Sequence, residues 1–455
     1  MKSNHILYVI LFLVLISCTR EENPKEQFLK WVQKGKITDK IQCKTDANIT
    51  YCVFIPTDYD VSKTYPAIYA FDPHGSGRIP VNLMKNIADS LDYIIIGSNN
   101  SRNGLRQEEI NGIVNTLFID TQTKLAIDPS RIYMVGFSGG ARVACMIAQA
   151  KPGIKGVIAC SAGFQPTKKT LGFQYIGIAG TQDMNYLEMR QLNLLMDSVG
   201  IQNQLIVFNG KHRWPNESTV GEAIEMLTID AARASNRIED KNLATKFAKE
   251  NLSRIEQLID SKSTDSLALA LDIAKRTLQT VDGLIPTDEL KLTIEQLAKN
   301  QSMLTYLKEK ESIERYEFEK QKEFSTSFGS KTEAWWSNEI KKLNIIGVGL
   351  KGDVCKRLLG YISLNCYGKV NGTLYYKDWK TAQYFVSIYT QADPENPDAF
   401  YALACLQANT GKAKDAIESL KNAIKNGFTN YSKIQNDPLL ISIRGLEEYK
   451  ELLKK

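Results

Sequence analysis

Arg131-Ile132-Tyr133-Met134-Val135-Gly136-Phe137-Ser138-Gly139-Gly140, running on into Ala141 to Ala150, decides how the first half of this chain folds. Arg131 to Val135 is a short apolar, β-branched run, which predicts a buried strand. Ala141 to Ala150 is apolar at helical spacing and rich in alanine, so a helix follows. Only the stretch from Gly136 to Gly140 lies between them. A chain that turns from strand to helix in so few residues is crowded, and glycines flank the Ser because side chains there would clash. The turn lifts Ser138 above the end of a sheet. It also sets a helix N-terminus behind it, where developing negative charge is favoured. Ser138 is the candidate nucleophile, and the Gly139 amide is a candidate oxyanion donor.

Working outward, Ala67 to Phe71, Tyr93 to Gly97, Gly156 to Cys160, Tyr175 to Ala179 and Leu205 to Phe208 are further apolar strand-like runs. Val81 to Leu91 and Glu108 to Leu125 have helical spacing between them. Continuous apolar strands alternating with helices predict an α/β fold, a doubly wound, mostly parallel sheet covered on both faces. In such sheets the chemistry lies at the carboxyl ends of the strands. Gly35 to Pro56 reads as a β-hairpin ahead of this pattern. A turn centred between Ala47 and Asn48 sets Cys43 opposite Cys52, a disulfide candidate.

A serine needs a base. Of the three histidines, His5 lies in an N-terminal targeting segment and His74 precedes the nucleophile. His212 follows the last strand, in Asn209-Gly210-Lys211-His212-Arg213-Trp214-Pro215, and is the candidate general base. The acid is expected at the end of the preceding strand, where Gly180-Thr181-Gln182-Asp183 offers Asp183. Glu188 and Asp197 fall inside the next helix and are worse placed. The second oxyanion amide is expected from Asp72-Pro73-His74-Gly75-Ser76-Gly77, near Gly75 and Ser76. His74 then shapes that loop. Asn99, Asn100 and Arg102, after the strand ending at Gly97, and Trp214 are expected to rim the crevice.

Together these residues resemble the putative-esterase group of the α/β-hydrolases, related to polyhydroxybutyrate depolymerases and feruloyl esterases. The resemblance rests on Asp128-Pro129-Ser130-Arg131-Ile132-Tyr133 before the elbow, on His74-Gly75, and on Gly210 to Pro215. It covers roughly Gly35 to Arg233. It implies a Ser–Asp–His triad with no cofactor, and a carboxylic ester as substrate. Family members carry more glycines after the His-Gly pair, whereas Ser76-Gly77-Arg78 stands here. About a dozen residues separate Ser161 from Gln174, so no cap domain is inserted. An open crevice favours a small-molecule or polymer-borne ester, such as an acyl group on a polysaccharide.

The chain begins with Met1 to His5, then an unbroken apolar run from Ile6 to Ile16, ending in Leu15-Ile16-Ser17-Cys18. Eleven residues are too few to cross a bilayer, which takes about 20. The run suits a signal peptide. The tetrapeptide resembles the bacterial lipoprotein box, which implies export, a lipid on Cys18 and attachment to the outer membrane or cell surface. The net charge of +6 on 455 residues, with Lys and Arg spread among Asp and Glu, gives no basic patch for nucleic acid. There is no Cys-x-x-Cys pair and histidines are few, so no metal site is expected. Cys145, Cys160, Cys366 and Cys405 lie in apolar runs and read as small core residues.

Lys241 to Lys322 is helical and charged, with one break at Asp282 to Pro286, and Ser325 to Lys331 reads as a flexible joint. In the last hundred residues, Tyr367 and Tyr401 are 34 apart, and so are Ala382 and Ala416. That is the tetratricopeptide period. The expected organisation is a signal peptide over 1–17, a tether over 18–34 and an α/β-hydrolase domain over 35–233. A helical connector over 234–330 and an all-α, tetratricopeptide-like region over 331–455 follow. Two other readings compete with an esterase: a surface lipoprotein whose repeats bind a protein partner while the hydrolase fold is a platform, and a serine peptidase on the same machinery.

Overall fold

A computed structural model of the chain describes residues 23–167, 171–235, 238–345 and 347–454. The signal segment and Cys18 lie outside the described residues. The strands are β1 (Ile37–Gln42), β2 (Thr50–Phe54), β3 (Tyr65–Phe71), β4 (Ile94–Ser98), β5 (Ile127–Phe137), β6 (Ile154–Cys160), β7 (Gln174–Gly180) and β8 (Asn203–Phe208). They form one sheet in the order β1-β2-β4-β3-β5-β6-β7-β8. The hairpin β1–β2 joins antiparallel to β4, and every pairing from β4 through β3 to β8 is parallel.

The helices of the sheet region are α1 (Pro24–Leu29), α2 (Arg78–Ser90), α3 (Gln107–Lys124), α4 (Gly139–Ala150), α5 (Tyr186–Ser198) and α6 (Glu217–Ser235). Side chains alternate across the sheet as strand geometry requires. Ile68 and Ala70 of β3, with Tyr133, Val135 and Phe137 of β5, meet α2 and α6 on one face. Ala67, Tyr69 and Phe71, with Ile132 and Met134, meet α3 and α4 on the other. Each fully buried Ile, Val, Met or Phe among them contributes about 1.5–3 kcal/mol. Both faces are filled, so the strand ends are the accessible part of the sheet.

The remaining helices are α7 (Ile238–Asp260), α8 (Thr264–Val281), α9 (Asp288–Ala298), α10 (Gln301–Ser327), α11 (Glu333–Ile345), α12 (Gly349–Tyr375), α13 (Trp379–Ala392), α14 (Pro397–Asn409), α15 (Ala413–Lys425) and the short α16 (Tyr431–Asn436) and α17 (Glu447–Leu452), with a 3-10 turn at Pro438–Ile443 between the last two. The alternation of strand and helix ends with α6, but the core does not end there. The apolar cluster under α2 and α6 continues through Phe247, Ile255, Leu271, Ile273, Leu290 and Met303. The helical stretch breaks three times rather than once. Besides 282–287, it turns at Lys262, with φ +54°, and at Asn300, whose side chain caps α10. The stretch from Ser325 to Lys331 is not a loose joint. Phe328 stacks on Trp336 at 4.5 Å, the Gly329 amide donates to Tyr384 Oη, and that hydroxyl donates to the Lys331 carbonyl.

Helices α12 and α13 form one hairpin and α14 and α15 a second, around a separate core. Tyr367 and Tyr401 lie on the first helix of each pair, and Ala382 and Ala416 are buried on the second.

The expected Cys43–Cys52 disulfide is not formed, and both cysteines are free. The hairpin register differs from the one expected. Gln42 pairs with Thr50 and Ile41 with Tyr51, and the Cys43 amide bonds the Ile49 carbonyl. Asp46 accepts from the Asn48 amide at 3.0 Å, an Asx turn that sets the bend earlier than Ala47. The shift puts Cys43 and Cys52 in the cores on opposite faces of the sheet. Burial pushes each thiol up to about 12.

Candidate active site

Ser138 ends β5 and caps α4 with φ +52° and ψ −120°, a left-handed conformation costly for a side-chain-bearing residue. Its neighbours permit the turn. A Cβ at Gly136 would collide with the Gly140 carbonyl, and one at Gly140 with the Phe71 carbonyl. The Ser138 amide donates to the Cys160 carbonyl at 2.8 Å, which ties the turn to β6.

His212 and Asp183 converge on it. Ser138 Oγ lies 3.0 Å from His212 Nε2, and His212 Nδ1 lies 2.8 Å from Asp183 Oδ1. A carboxylate oxygen only accepts, so Nδ1 carries the proton, and Nε2 is left to accept from the Ser138 hydroxyl. Asp183 is fully buried. Its Oδ1 also accepts from the Asn185 amide at 2.9 Å, while Oδ2 has no protein partner among the described residues. The His212 ring packs on Phe137 at 4.9 Å between centroids. Glu188 does not compete for His212. It bonds Arg142 and the Gly163 amide. Asp197 accepts from Asn203.

The loop after β3 is organised by Asp72, to which the sequence reading gives no role beyond membership of the oxyanion loop. Asp72 is buried, accepts from the His74 amide at 2.9 Å, and accepts from Trp214 Nε1 at 2.8 Å. It therefore locks the early loop to the loop carrying His212. Burial works against its charge, yet the hydrogen bonds from His74 and Trp214 hold it below the usual carboxylate range. The same carboxylate, 3.6 Å from His74 Nδ1, raises the imidazole of His74. The signal was visible as Asp-Pro-His-Gly, but nothing local pairs Asp72 with Trp214, 142 residues away. Trp214 is consequently a wall that packs on Phe137 at 5.5 Å, with its one donor committed.

Of the oxyanion candidates, Gly75 is corrected: its amide donates to the Asp72 carbonyl at 3.1 Å and is not available. Among the described residues the Ser76 amide has no protein acceptor, and Gly139 opens α4, where the first amides have no partner within the helix. Two rim residues are corrected as well. Asn99 accepts from the Gly77 amide and donates to Asp39 and Thr50. Asn100 accepts from the Thr50 amide and donates to the Asn48 carbonyl. Both clamp the hairpin to the loop, so their polar groups are spent on the fold. Arg102 is exposed and pairs by backbone with His74. Asn103 takes the position expected of its neighbours. Its side-chain oxygen lies against Gly139, so that a Cβ there would have to push the Asn103 side chain aside.

Helix α12 borders the loop after β7 that carries Asp183. Arg357 donates to the Thr181 carbonyl at 2.6 Å, and Gln182 Nε2 donates to Asp353 Oδ1 at 2.9 Å. Among the described residues no cluster of His, Cys, Asp or Glu is arranged to hold a metal ion, and no helix is long and apolar enough to cross a membrane.

No known family pattern matches the chain. Solved structures similar to it include an S-formylglutathione hydrolase from Staphylococcus aureus, at 10% identity over 42% of this chain and 95% of that one, with a TM-score of 0.35. A ferulic acid esterase is similar at 16% identity over 42% and 94%, with a TM-score of 0.33. Esterase 2 of Thermogutta terrifontis is similar at 12% identity over 43% and 94%, with a TM-score of 0.33.

Proposed function

We propose that this protein is a serine esterase. The observation that carries the reading is the hydrogen-bonded relay from Asp183 Oδ1, through both nitrogens of His212, to Ser138 Oγ on a strand-to-helix elbow. In this reading Ser138 attacks the carbonyl carbon of a carboxylic ester and His212 takes its proton. Asp183 holds the imidazole in the required tautomer and stabilises its cation. The amides of Gly139 and Ser76 receive the tetrahedral oxyanion. Collapse breaks the ester C–O bond, and His212 gives its proton to the departing alkoxide. Water, deprotonated by His212, then attacks the acyl-Ser138. The carboxylic acid leaves and the serine is restored.

The substrate we infer is a small or polymer-borne ester, an aryl ester or an acyl group on a polysaccharide. Only the loop between Cys160 and Gln174 joins β6 to β7, which leaves no room for an inserted cap over the crevice. We further propose that Cys18 carries a lipid that anchors the exported protein at the outer membrane or cell surface. The 34-residue spacing of Tyr367 with Tyr401 supports a tetratricopeptide-like reading of the C-terminal helices, with a protein partner as their ligand.

The test is chemical. A fluorophosphonate probe should label the wild-type protein at Ser138 and leave Ser138→Ala unlabelled. On a panel of aryl esters, acylated sugars and peptides, the Ala variant should be slower by roughly three orders of magnitude. An Ala variant that hydrolyses esters as fast as wild type removes the serine mechanism. Cleavage of the peptides alone makes the protein a peptidase.

A further inference from the structure

The acid loop, Thr181 to Asn185, is held on two sides. On one side its backbone is tied to the segment that leads to His212: the Thr181 amide donates to the Phe208 carbonyl and the Gln182 amide to the Gly210 carbonyl, both at 2.9 Å. On the other side stands α12, from the C-terminal half of the chain. Asp353 takes the Gln182 side chain, Arg357 takes the Thr181 carbonyl, and Gly360 lies so near Met184 that an added Cβ would sit 3.1 Å from its Cβ. These three residues are spaced i, i+4 and i+7, one face of a helix.

Arg357 is the centre of that face. It is buried, and so is its partner Glu317 of α10. Its Nε donates to both Glu317 oxygens, at 2.9 and 3.0 Å, and a terminal nitrogen adds a further bond to the same carboxylate. The other terminal nitrogen reaches Thr181. The flat face of the guanidinium lies 4.4 Å from the centre of the Tyr186 ring. Tyr186 opens α5, three residues after Asp183, and its hydroxyl donates to Glu314 at 2.8 Å. One cation therefore grips the chain on both flanks of Asp183. A lysine cannot replace it, since an ammonium lacks the planar fork and the stacking face. Replacing a buried ion pair by apolar residues of similar size is often tolerated, so stability alone does not demand this pair.

We infer that Arg357 is a positioning residue: by fixing Thr181 and Tyr186 it sets where the Asp183 carboxylate meets His212, so that α10 and α12 complete the hydrolase site. This rests on the reading of Asp183 as the acid of the triad. It also makes the helical half a working part of the site, where a separate appendage was the expectation.

The experiment uses the full chain with the paired substitution Arg357→Met and Glu317→Leu, which removes both charges and leaves neither buried alone. Thermal unfolding should stay near that of wild type. Hydrogen exchange of the peptide spanning Gly180 to Tyr186 should quicken, while that of β3 and β5 stays the same. With a small aryl ester, kcat should fall roughly 10- to 100-fold with KM unchanged, the effect of a displacement of about 1 Å in a catalytic group. Arg357→Lys should not restore the rate. If the paired variant does not fold, Asp353→Ala removes the Gln182 contact alone and should lower kcat a few-fold in the same direction. A folded variant with unchanged exchange in the acid loop overturns the inference, whatever its activity. So does a rise in KM at constant kcat, which would mean that α12 touches substrate instead. Loss of the esterase reading itself is seen separately, as wild-type hydrolysis that survives Ser138→Ala.

Discussion

Asp183→Asn tests the relay at the point where the structure makes an unusual demand. An asparagine in this position can in principle face His212 with its oxygen or with its NH2. The NH2 would force the imidazole into the wrong tautomer, with Nε2 protonated and unable to accept from Ser138, and a loss of about 10⁴ in kcat is typical of that outcome. Here Oδ1 accepts from the Asn185 amide as well as from His212 Nδ1, at 2.9 and 2.8 Å. The Asn185 amide is a fixed donor, so the asparagine must turn its oxygen to that corner and keep the correct tautomer. Its NH2 then falls where Oδ2 has no protein partner, so the change breaks no second bond. What is lost is charge. A hydrogen bond to a charged group is worth about 1.5–3 kcal/mol and a neutral one about 0.5–1.5, so keeping the bond without the charge costs about 1–1.5 kcal/mol. At about 1.36 kcal/mol per decade, kcat should fall roughly 5- to 13-fold, with KM nearly constant. Steady-state kinetics on a soluble aryl ester, together with thermal unfolding to exclude misfolding, measures this. A loss near that of Ser138→Ala would refute the argument that Asn185 fixes the tautomer. No loss at all would remove Asp183 from the mechanism.

Three further outcomes are expected. His74→Gln should destabilise the protein most below about pH 6. The folded imidazole is raised by the Asp72 carboxylate 3.6 Å from its Nδ1, so its contribution, small because the ring is largely exposed, is complete below the ordinary imidazole range and fades as pH rises through the raised value; an equal change in Tm at about pH 6 and pH 9 contradicts this. Cys18→Ala should release the protein from membranes or block its processing, and a variant that fractionates and migrates like wild type would rule out lipidation. Ending the chain near Asp240 should yield insoluble or loosely packed protein, because Phe247, Ile255, Leu271 and Ile273 continue the core beneath α6; a soluble fragment with sharp thermal unfolding would show that the sheet needs no helical cover.

How much of this was legible follows from the range over which each signal acts. The strands and the elbow are local. Six apolar runs and one Gly-x-Ser-x-Gly turn point to the sheet, because a strand buried on both faces writes itself as an uninterrupted apolar run. The positions of Asp183 and His212 followed from strand ends, since the polar residues ending β7 and following β8 had nowhere else to converge. Register is less local. The hairpin failed by the position of its bend, because the Asp46 side chain captured the Asn48 amide and moved the centre of the turn. Cys43 and Cys52 then faced opposite sides of the sheet.

Polar loop residues are hardest to read, because their partners are distant in sequence. Asn99 and Asn100 looked like crevice groups, yet their donors and acceptors are consumed by Asp39, Asn48 and Thr50 of the hairpin. Asp72 has no role in the sequence reading beyond opening the oxyanion loop, and it is the clamp between two site loops. The same holds most strongly for α12. Asp353, Arg357 and Gly360 share a helix face, but an acid, a base and a glycine make no amphipathic pattern. Arg357 and Thr181 are 176 residues apart. Glu317 sits in a stretch so rich in Glu and Lys that its burial cannot be told from a solvated helix face. Its charge survives burial only because Arg357 meets it there, and Arg357 reaches the acid loop only because α10 holds it in place. A contact that needs three segments to exist has no trace in any one of them. The boundary drawn at Arg233, near the end of the last helix of the sheet region, therefore marks where the strand–helix alternation stops and not the edge of the site.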